Sequence, residues 1–305
     1  MTYLNKNFLF VRFPIFLPII YFFILKYFPD YELYLIATTI FLLAEPHFAA
    51  TWPIFLNKVN HPYIVQKKLQ LIYGVIFVCL FSLYGFFKFQ NTFLLVFFFA
   101  NIFHVTRQSV GILKLYNKSK NLLEMINILY FFGLLYFFIG LMRFYAPIIL
   151  DKHLFVLNIV IILTVFLVLL LFLLKKNETK DLLTFLSGLI IFYPICFVDK
   201  PVHAILMGVT IHYSQYLYLT YLIDRGRNIQ SVSKIFLNYK FIFIIFSYAG
   251  IMTLLTLLSK NNSYILSYLI IIPITGQMLH FYIDSFIWRF SESHNREVSL
   301  KYINL

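Results

Sequence analysis

Four histidines in this 305-residue chain lie inside long apolar stretches, where an ionisable side chain is costly unless it has a partner or a function. Neutral imidazole is a common ligand of iron, zinc, copper and nickel. Imidazoles brought together in an apolar interior would therefore form a metal centre. The four candidate ligands are His47, His104, His212 and His280.

The segment NIFHVTRQS, residues 101–109, is the most polar surrounding of any of the four. An arginine near the centre of a membrane-spanning helix costs about 2.5 to 3.5 kcal/mol on insertion scales, so such a side chain normally faces a protein interior or a wet cavity. We therefore expect Arg107 to face inward and this helix to form a wall of the site.

The elements that must position these histidines are predicted to be membrane-spanning helices. Apolar residues make up 61% of the chain and charged residues only 12%, against about 45 to 50% apolar in ordinary globular proteins. Runs of about 17 to 25 apolar residues predict a polytopic all-α bundle in a single domain, residues 1–305. The ten predicted spans are 8–27, 33–56, 69–88, 92–115, 124–143, 154–174, 182–198, 201–223, 239–258 and 264–289.

The basic residues predict the orientation of these spans. If the helices alternate in direction, 18 of the 25 Lys and Arg residues share the side of the two termini, 6 lie on the other side and Arg107 is inside the membrane. The positive-inside bias then makes both termini cytoplasmic. The net charge of +13 resides in these short loops, which argues against nucleic-acid binding.

The four histidines share one predicted depth. The next cytoplasmic basic residues, Lys58, Lys114, Arg225 and Arg289, follow them by 11, 10, 13 and 9 residues. At about 1.5 Å per residue each imidazole lies roughly 14 to 20 Å from the cytoplasmic edge, near the middle of a hydrocarbon core about 30 Å thick. A shared depth favours one metal held by four imidazoles. The alternative is four separate buried histidines that each hydrogen-bond a neighbouring helix.

Polar residues three or four positions from a histidine share its helix face and are the predicted supporting side chains. Asp284 is the acid among them, and it could accept a hydrogen bond from a ligating imidazole or pair with Arg107. Glu45, two residues from His47, is a weak candidate because it points elsewhere. The supporting or catalytic candidates are Arg107 and Gln108 beside His104, Gln215 and Tyr216 beside His212, Gln277 and Asp284 beside His280, and Thr51 beside His47.

At these segments the chain resembles the Brp/Blh family of bacterial and archaeal membrane β-carotene 15,15'-dioxygenases. The stretches that carry the resemblance are PHFAAT (46–51), HVTRQS (104–109), HYSQY (212–216) and LHFYIDSFIWR (279–289). The chain departs from the family pattern where Phe48 and Thr51 replace a glycine and an acid, where TRQS replaces a second acid, and where Tyr216 replaces a histidine. The resemblance implies a shared helical fold and histidine-bound iron.

The leading functional prediction is a membrane-embedded non-haem Fe(II) oxygenase. Its partners would be O2 and a lipophilic substrate that enters from the bilayer, with β-carotene cleaved to retinal as the first choice. Two alternatives stay open: another lipid-directed metalloenzyme, such as a zinc hydrolase or a lipid oxidase, and a non-enzymatic haem or ion carrier. The oligomeric state is not predicted.

Overall fold

A computed structural model describes residues 6–198, 200–228, 234–260 and 264–303 of the chain. The model is 89% helical and has no strand among the described residues, which confirms the predicted all-α class. The α-helices are α1 (Leu17–Tyr27), α2 (Glu32–Thr39), α3 (Glu45–Phe55), α4 (His61–Gln66), α5 (Gly74–Lys88), α6 (Gln90–Tyr116), α7 (Leu122–Tyr145), α8 (Pro147–Leu174), α9 (Thr179–Leu189), α10 (Pro201–Asn228), α11 (Lys234–Leu258), α12 (Tyr264–Ser267), α13 (Ile271–Ile287) and α14 (Ser293–Val298).

Eight helical stretches in the described residues are long and apolar enough to cross a membrane, and each corresponds to a predicted span. Short π or 3-10 turns extend several of them beyond the α-helix itself. Helix α10 is not among the eight, although its 28 residues would reach about 42 Å. The eight stretches are Phe8–Tyr27, Pro29–Phe55, Leu69–Lys88, Gln90–Tyr116, Leu122–Arg143, Asp151–Leu174, Tyr239–Leu258 and Tyr268–Ile287.

The chain packs as two compact units. Apart from the last residue, the first unit comprises Met1–Ile36 and Ile102–Gln215, and the second comprises Ala37–Asn101 and Tyr216–Asn304. Helices α2, α6 and α10 each contribute residues to both units. The single domain predicted from sequence stays a prediction.

Helices α7 and α8 form a hairpin in the first unit, and polar contacts fix both of its ends. At one end Lys175 pairs with Glu124, just outside the apolar part of α8. At the other end Arg143 pairs with Asp151 at 3.1 Å. Arg143 also donates to the carbonyl of Val198 at 3.1 Å. These contacts mark the two polar boundaries of the first unit.

The segment after α8 runs between these two boundaries, but not as the continuous helix predicted over 182–198. Near one boundary Arg12 donates to the carbonyl of Lys180 at 3.0 Å, and near the other Val198 meets Arg143. Between them α9 ends at Leu189, and a 3-10 turn follows over Tyr193–Cys196. A helix through Pro194 would lose one backbone hydrogen bond and would push the proline ring against a carbonyl. The prediction of a single spanning helix is therefore wrong.

The unwound backbone between α9 and the 3-10 turn is buried against α10. A Cβ built on Gly208 would lie 1.7 Å from the carbonyl oxygen of Ile191. Ile191 and Phe192 are themselves buried. Non-helical backbone at membrane depth is tolerated only where protein or a water-filled cavity covers it. Because Gly208 has no side chain, α10 approaches closely enough to bury this backbone.

The second unit is built around α3, which packs against α11 and α13, while α13 packs against α5. Its C-terminal tail is fixed at one end of this group. Lys67 pairs with Glu292 at 2.5 Å, and the ring of His294 stacks on Tyr63 at 4.7 Å. In the Lys67–Glu292 pair burial works against both charges, but their mutual hydrogen bond raises the pKa of Lys67 and lowers that of Glu292.

The close approach at Gly208 gives a test of the broken segment. We expect Gly208→Ala to destabilise the protein by about 1 to 3 kcal/mol or more, because the added methyl group overlaps a buried carbonyl. Gly111→Ala is the matched control: an added Cβ there meets nothing within 4 Å, and a helical Gly→Ala change should stabilise by about 0.5 to 1 kcal/mol. Unfolding in detergent micelles measures both variants, and equal stability of the two would contradict the close contact.

Candidate metal centre

The four predicted ligands all lie on helices and are all buried. His47 is on α3, His104 on α6, His212 on α10 and His280 on α13. Their side chains are between 0% and 7% exposed. Each of the four histidines is therefore enclosed by protein. His104 and His212 belong to the first unit, whereas His47 and His280 belong to the second.

In the second unit three rings from three helices contact one another. The ring centroids of His47 and His280 are 4.4 Å apart, those of His47 and Tyr216 are 4.5 Å apart, and those of Tyr216 and His280 are 5.3 Å apart. The side chain of Phe48 covers the ring of His280 at 5.2 Å. These aromatic contacts leave the two imidazoles in an environment without bulk water.

A hydrogen-bond network lies directly beside these rings. The hydroxyl of Thr51 is 2.6 Å from Nδ1 of His280, and it donates to Oδ1 of Asp284 at 3.0 Å. Tyr216 donates to the same carboxylate oxygen at 2.9 Å, and the Thr51 and Tyr216 hydroxyls are 2.7 Å apart. Four polar side chains from α3, α10 and α13 thus satisfy one another within the second unit.

With an ionised Asp284 carboxylate, these contacts fit a neutral His280 that carries its proton on Nδ1. A hydroxyl has one proton to give, and that of Thr51 goes to the carboxylate. The Thr51 oxygen therefore accepts from the Nδ1–H of His280, which makes Nε2 the lone-pair nitrogen. Ligating histidines commonly hold their second nitrogen in this way.

Nε2 of His280 and the second carboxylate oxygen of Asp284 face each other at 3.7 Å, one helical turn apart. This separation is too long for a hydrogen bond. Metal–ligand bonds of about 2.0 to 2.2 Å would bring neighbouring ligand atoms to roughly 3 to 3.5 Å from each other. Only a small adjustment would therefore let both atoms bind one cation.

The first unit holds the other pair of histidines. The ring centroids of His104 and His212 are 5.7 Å apart, edge to face. A ring nitrogen of one lies within 4.8 Å of a ring nitrogen of the other. Each of the two helices packs closely against the segment 179–198: a Cβ on Gly208 of α10 would meet Ile191, and one on Gly188 of α9 would lie 3.0 Å from Ser109 of α6.

Three predicted supporting residues are engaged differently from the prediction. Arg107 lies on the exposed side of α6, with its guanidinium over the ring of Phe103 at 5.7 Å, so the expectation that it faces inward is wrong. The amide of Gln215 donates to the carbonyl of Val11 at 2.8 Å rather than supporting His212. Gln277 hydrogen-bonds Glu45 instead of supporting His280.

Two more predicted residues, Thr51 and Tyr216, were expected beside His47 and His212, but their hydroxyls bond His280 and Asp284 instead. Thr51, Tyr216 and Asp284 are buried and lie beside His280, and Gln108 is partly buried on α6. Two aromatic contacts of the cluster were not predicted from the sequence. Phe48 covers His280, and Trp288 packs on Tyr216 at 5.5 Å.

Removing the Thr51 hydroxyl tests the network. We expect Thr51→Val to destabilise the protein by about 2 to 5 kcal/mol, since the buried His280 Nδ1–H loses its acceptor and the buried Asp284 carboxylate loses a donor. Thr164→Val is the isosteric control, because Thr164 bonds only its own helix in an exposed position, and surface changes of this kind stay within about 0.5 kcal/mol. Similar unfolding curves for the two variants would exclude Thr51 as the centre of the network.

Comparisons with protein-family models, with curated proteins and with solved structures find no match for this chain. The resemblance in the four histidine segments is therefore an expectation from sequence. The chemistry of the site must be argued from the side chains themselves.

Proposed function

We propose that this chain is a membrane-embedded non-haem iron oxygenase that acts on a long apolar substrate in a bacterial inner membrane. The observation that carries the proposal is the arrangement of His280 and Asp284 in the second unit. A neutral imidazole nitrogen and a carboxylate oxygen face each other at 3.7 Å, inside one of the stretches apolar enough to cross a membrane. A cation bound between this nitrogen and the buried carboxylate would balance the charge of the carboxylate.

The donor types suit ferrous iron. His47, His280 and Asp284 supply two imidazoles and one carboxylate, the ligand set of many Fe(II) oxygenases. The alternative ligand set is the one predicted from sequence, in which four imidazoles hold one ion. In that set His104 and His212 replace Asp284 and join His47 and His280. Bound Fe(II) would supply the ability to activate O2.

The chain's own side chains have definable tasks in such a reaction. Thr51 holds the tautomer of His280, and Tyr216 holds the orientation of the Asp284 carboxylate. Phe48 and Trp288 pack against the His280 and Tyr216 rings and keep water away. Exclusion of water protects reactive intermediates from side reactions.

The first substrate to consider is β-carotene. Its polyene is apolar enough to enter from the bilayer. Cleavage of its central double bond by O2 places one oxygen atom on each half and yields two molecules of retinal, so no further reductant is required. The family resemblance supports this choice, and Thr51 and Tyr216, two of the positions that depart from the family pattern, are in direct contact.

A zinc hydrolase of lipid-like substrates is the second candidate. Two imidazoles and one carboxylate with an open position are also typical of catalytic zinc sites. The identity of the bound metal separates the two proposals.

Metal analysis of the purified protein tests the centre. We expect one equivalent of iron per chain, reduced at least about tenfold in His47→Ala, His280→Ala and Asp284→Asn, because ligand loss costs at least as much as the loss of a supporting contact. His153→Ala, an exposed histidine outside the cluster, should retain full iron. Iron loss in His104→Ala and His212→Ala with retention in Asp284→Asn would assign the four-imidazole set. Zinc would favour the hydrolase, and folded protein without metal would overturn the centre.

Product analysis tests the reaction. Co-expression with a β-carotene pathway should yield retinal in cells that carry the wild-type chain, and none with His280→Ala. Carotene left intact by folded, iron-loaded protein would eliminate this substrate while leaving the metal centre in place.

A further inference from the structure

The exposed side of α6 in the first unit carries a row of residues that we call the basic stripe. Its basic residues are Arg107 and Lys114 on the helix and Lys118 just beyond the helix end. Phe103 lies at one end of the row, and Gly111 leaves an open gap between Arg107 and Lys114. Spacings of three and four residues place these positions on one helix face. Phe103 is 47% exposed, and the three basic side chains are exposed as well.

Arg107 has no neutralising acid in this environment. Helix α6 contains no Asp or Glu, and among the described residues no carboxylate lies within ion-pair distance of Arg107. The contact found for its guanidinium is the ring of Phe103. An arginine on the outer surface of a membrane-spanning helix is costly unless an anion or water reaches it.

The gap at Gly111 provides room for an anion. A Cβ built there meets no atom within 4 Å. Arg107 lies one turn to one side of the gap and Lys114 one turn to the other. Helical side chains lean toward the N-terminus of their helix, so Lys114 leans over Gly111. Lys114 therefore borders the gap at one end, whereas the guanidinium of Arg107 lies over Phe103 and comes to the gap by rotation about its side-chain bonds.

The depth of the stripe suits a lipid headgroup. Lys114 and Lys118 stand at the polar end of the helix, and Arg107 is about 10 Å further in by helical rise. Long basic side chains extend along apolar surface to reach polar groups. Phosphate is recognised by arginine through paired hydrogen bonds, and lysine binds it as a point charge.

We propose that this basic stripe binds one anionic phospholipid, with its phosphate in the gap at Gly111 between Arg107 and Lys114. Lys118 contacts the outer part of the headgroup, and an acyl chain runs along the exposed ring of Phe103. Charge complementarity selects an anionic over a zwitterionic lipid, because Arg107 and Lys114 have no acid on α6 to balance them, whereas Lys118 lies near Glu178. The site is separate from the histidines and does not depend on the proposed oxygenase activity.

Lipid retention tests the site. The protein is purified from membranes containing equal parts of phosphatidylglycerol and phosphatidylcholine, and bound lipid is counted by native mass spectrometry. We expect wild type to retain phosphatidylglycerol preferentially, and Arg107→Gln and Gly111→Leu to reduce that retention at least about fivefold, the effect of one basic contact. A Cβ at position 111 meets no atom within 4 Å, so Gly111→Leu fills the gap, and unfolding in detergent micelles checks that the variant keeps its fold.

Lys58→Gln is the matched control, because Lys58 is an exposed lysine at the end of another predicted span. It should retain as much phosphatidylglycerol as wild type. Equal retention of both lipids by wild type, or undiminished phosphatidylglycerol in the Gly111→Leu protein, would overturn the proposal. A protein partner bound in place of lipid would overturn it too.

Discussion

The second unit depends on hydrogen bonds that form where no water is available to replace them. The hydroxyl of Thr51 on α3 contacts side chains of α10 and α13. In a bilayer each of these polar groups would be expensive if unpaired, so the helices must pack in the arrangement that pairs them all. The network therefore fixes the rotation of α3, α10 and α13 about their own axes, which apolar packing alone specifies poorly.

The same constraint explains the broken segment of the first unit. Pro194 prevents a continuous helix, and the freed backbone must then be covered by protein. Gly208 allows α10 to approach until its backbone touches the carbonyl of Ile191. A side chain at position 208 would separate the two elements and expose unpaired carbonyls to lipid. The break at Pro194 thus requires the small residue at position 208. His212 lies one turn further along the same helix.

Much of this architecture could be predicted from the sequence, because apolar length and basic loops report directly on membrane spans. The burial of the four histidines was also predictable, since an ionisable side chain in a membrane-spanning helix is costly when it faces lipid. The end of α9 was predictable in principle from Pro194, but a count of apolar residues treats that proline as neutral. The direction of a side chain was harder to predict, because positions three or four apart share a broad helix face. Arg107 lies three residues after the buried His104, yet it is on the exposed edge of that face.

Partner choice was the least predictable feature, because it depends on which helices become neighbours. Gln277 has the spacing to support His280, yet it bonds Glu45 because α3 packs against α13. Thr51 on α3 likewise contacts Tyr216 on α10, a residue 165 positions away in sequence.

Charge balance in that cluster has a chemical consequence. Thr51 and Tyr216 are neutral hydroxyls, and the tautomer assigned to His280 is neutral, so the negative charge in the network is that of Asp284. Protonation of His280 would balance it through an ion pair with Asp284 at 3.7 Å. The proposed divalent cation would balance the carboxylate with His280 neutral. An acid at position 51 would add a second negative charge next to Asp284, and a hydroxyl avoids that repulsion while still fixing the imidazole.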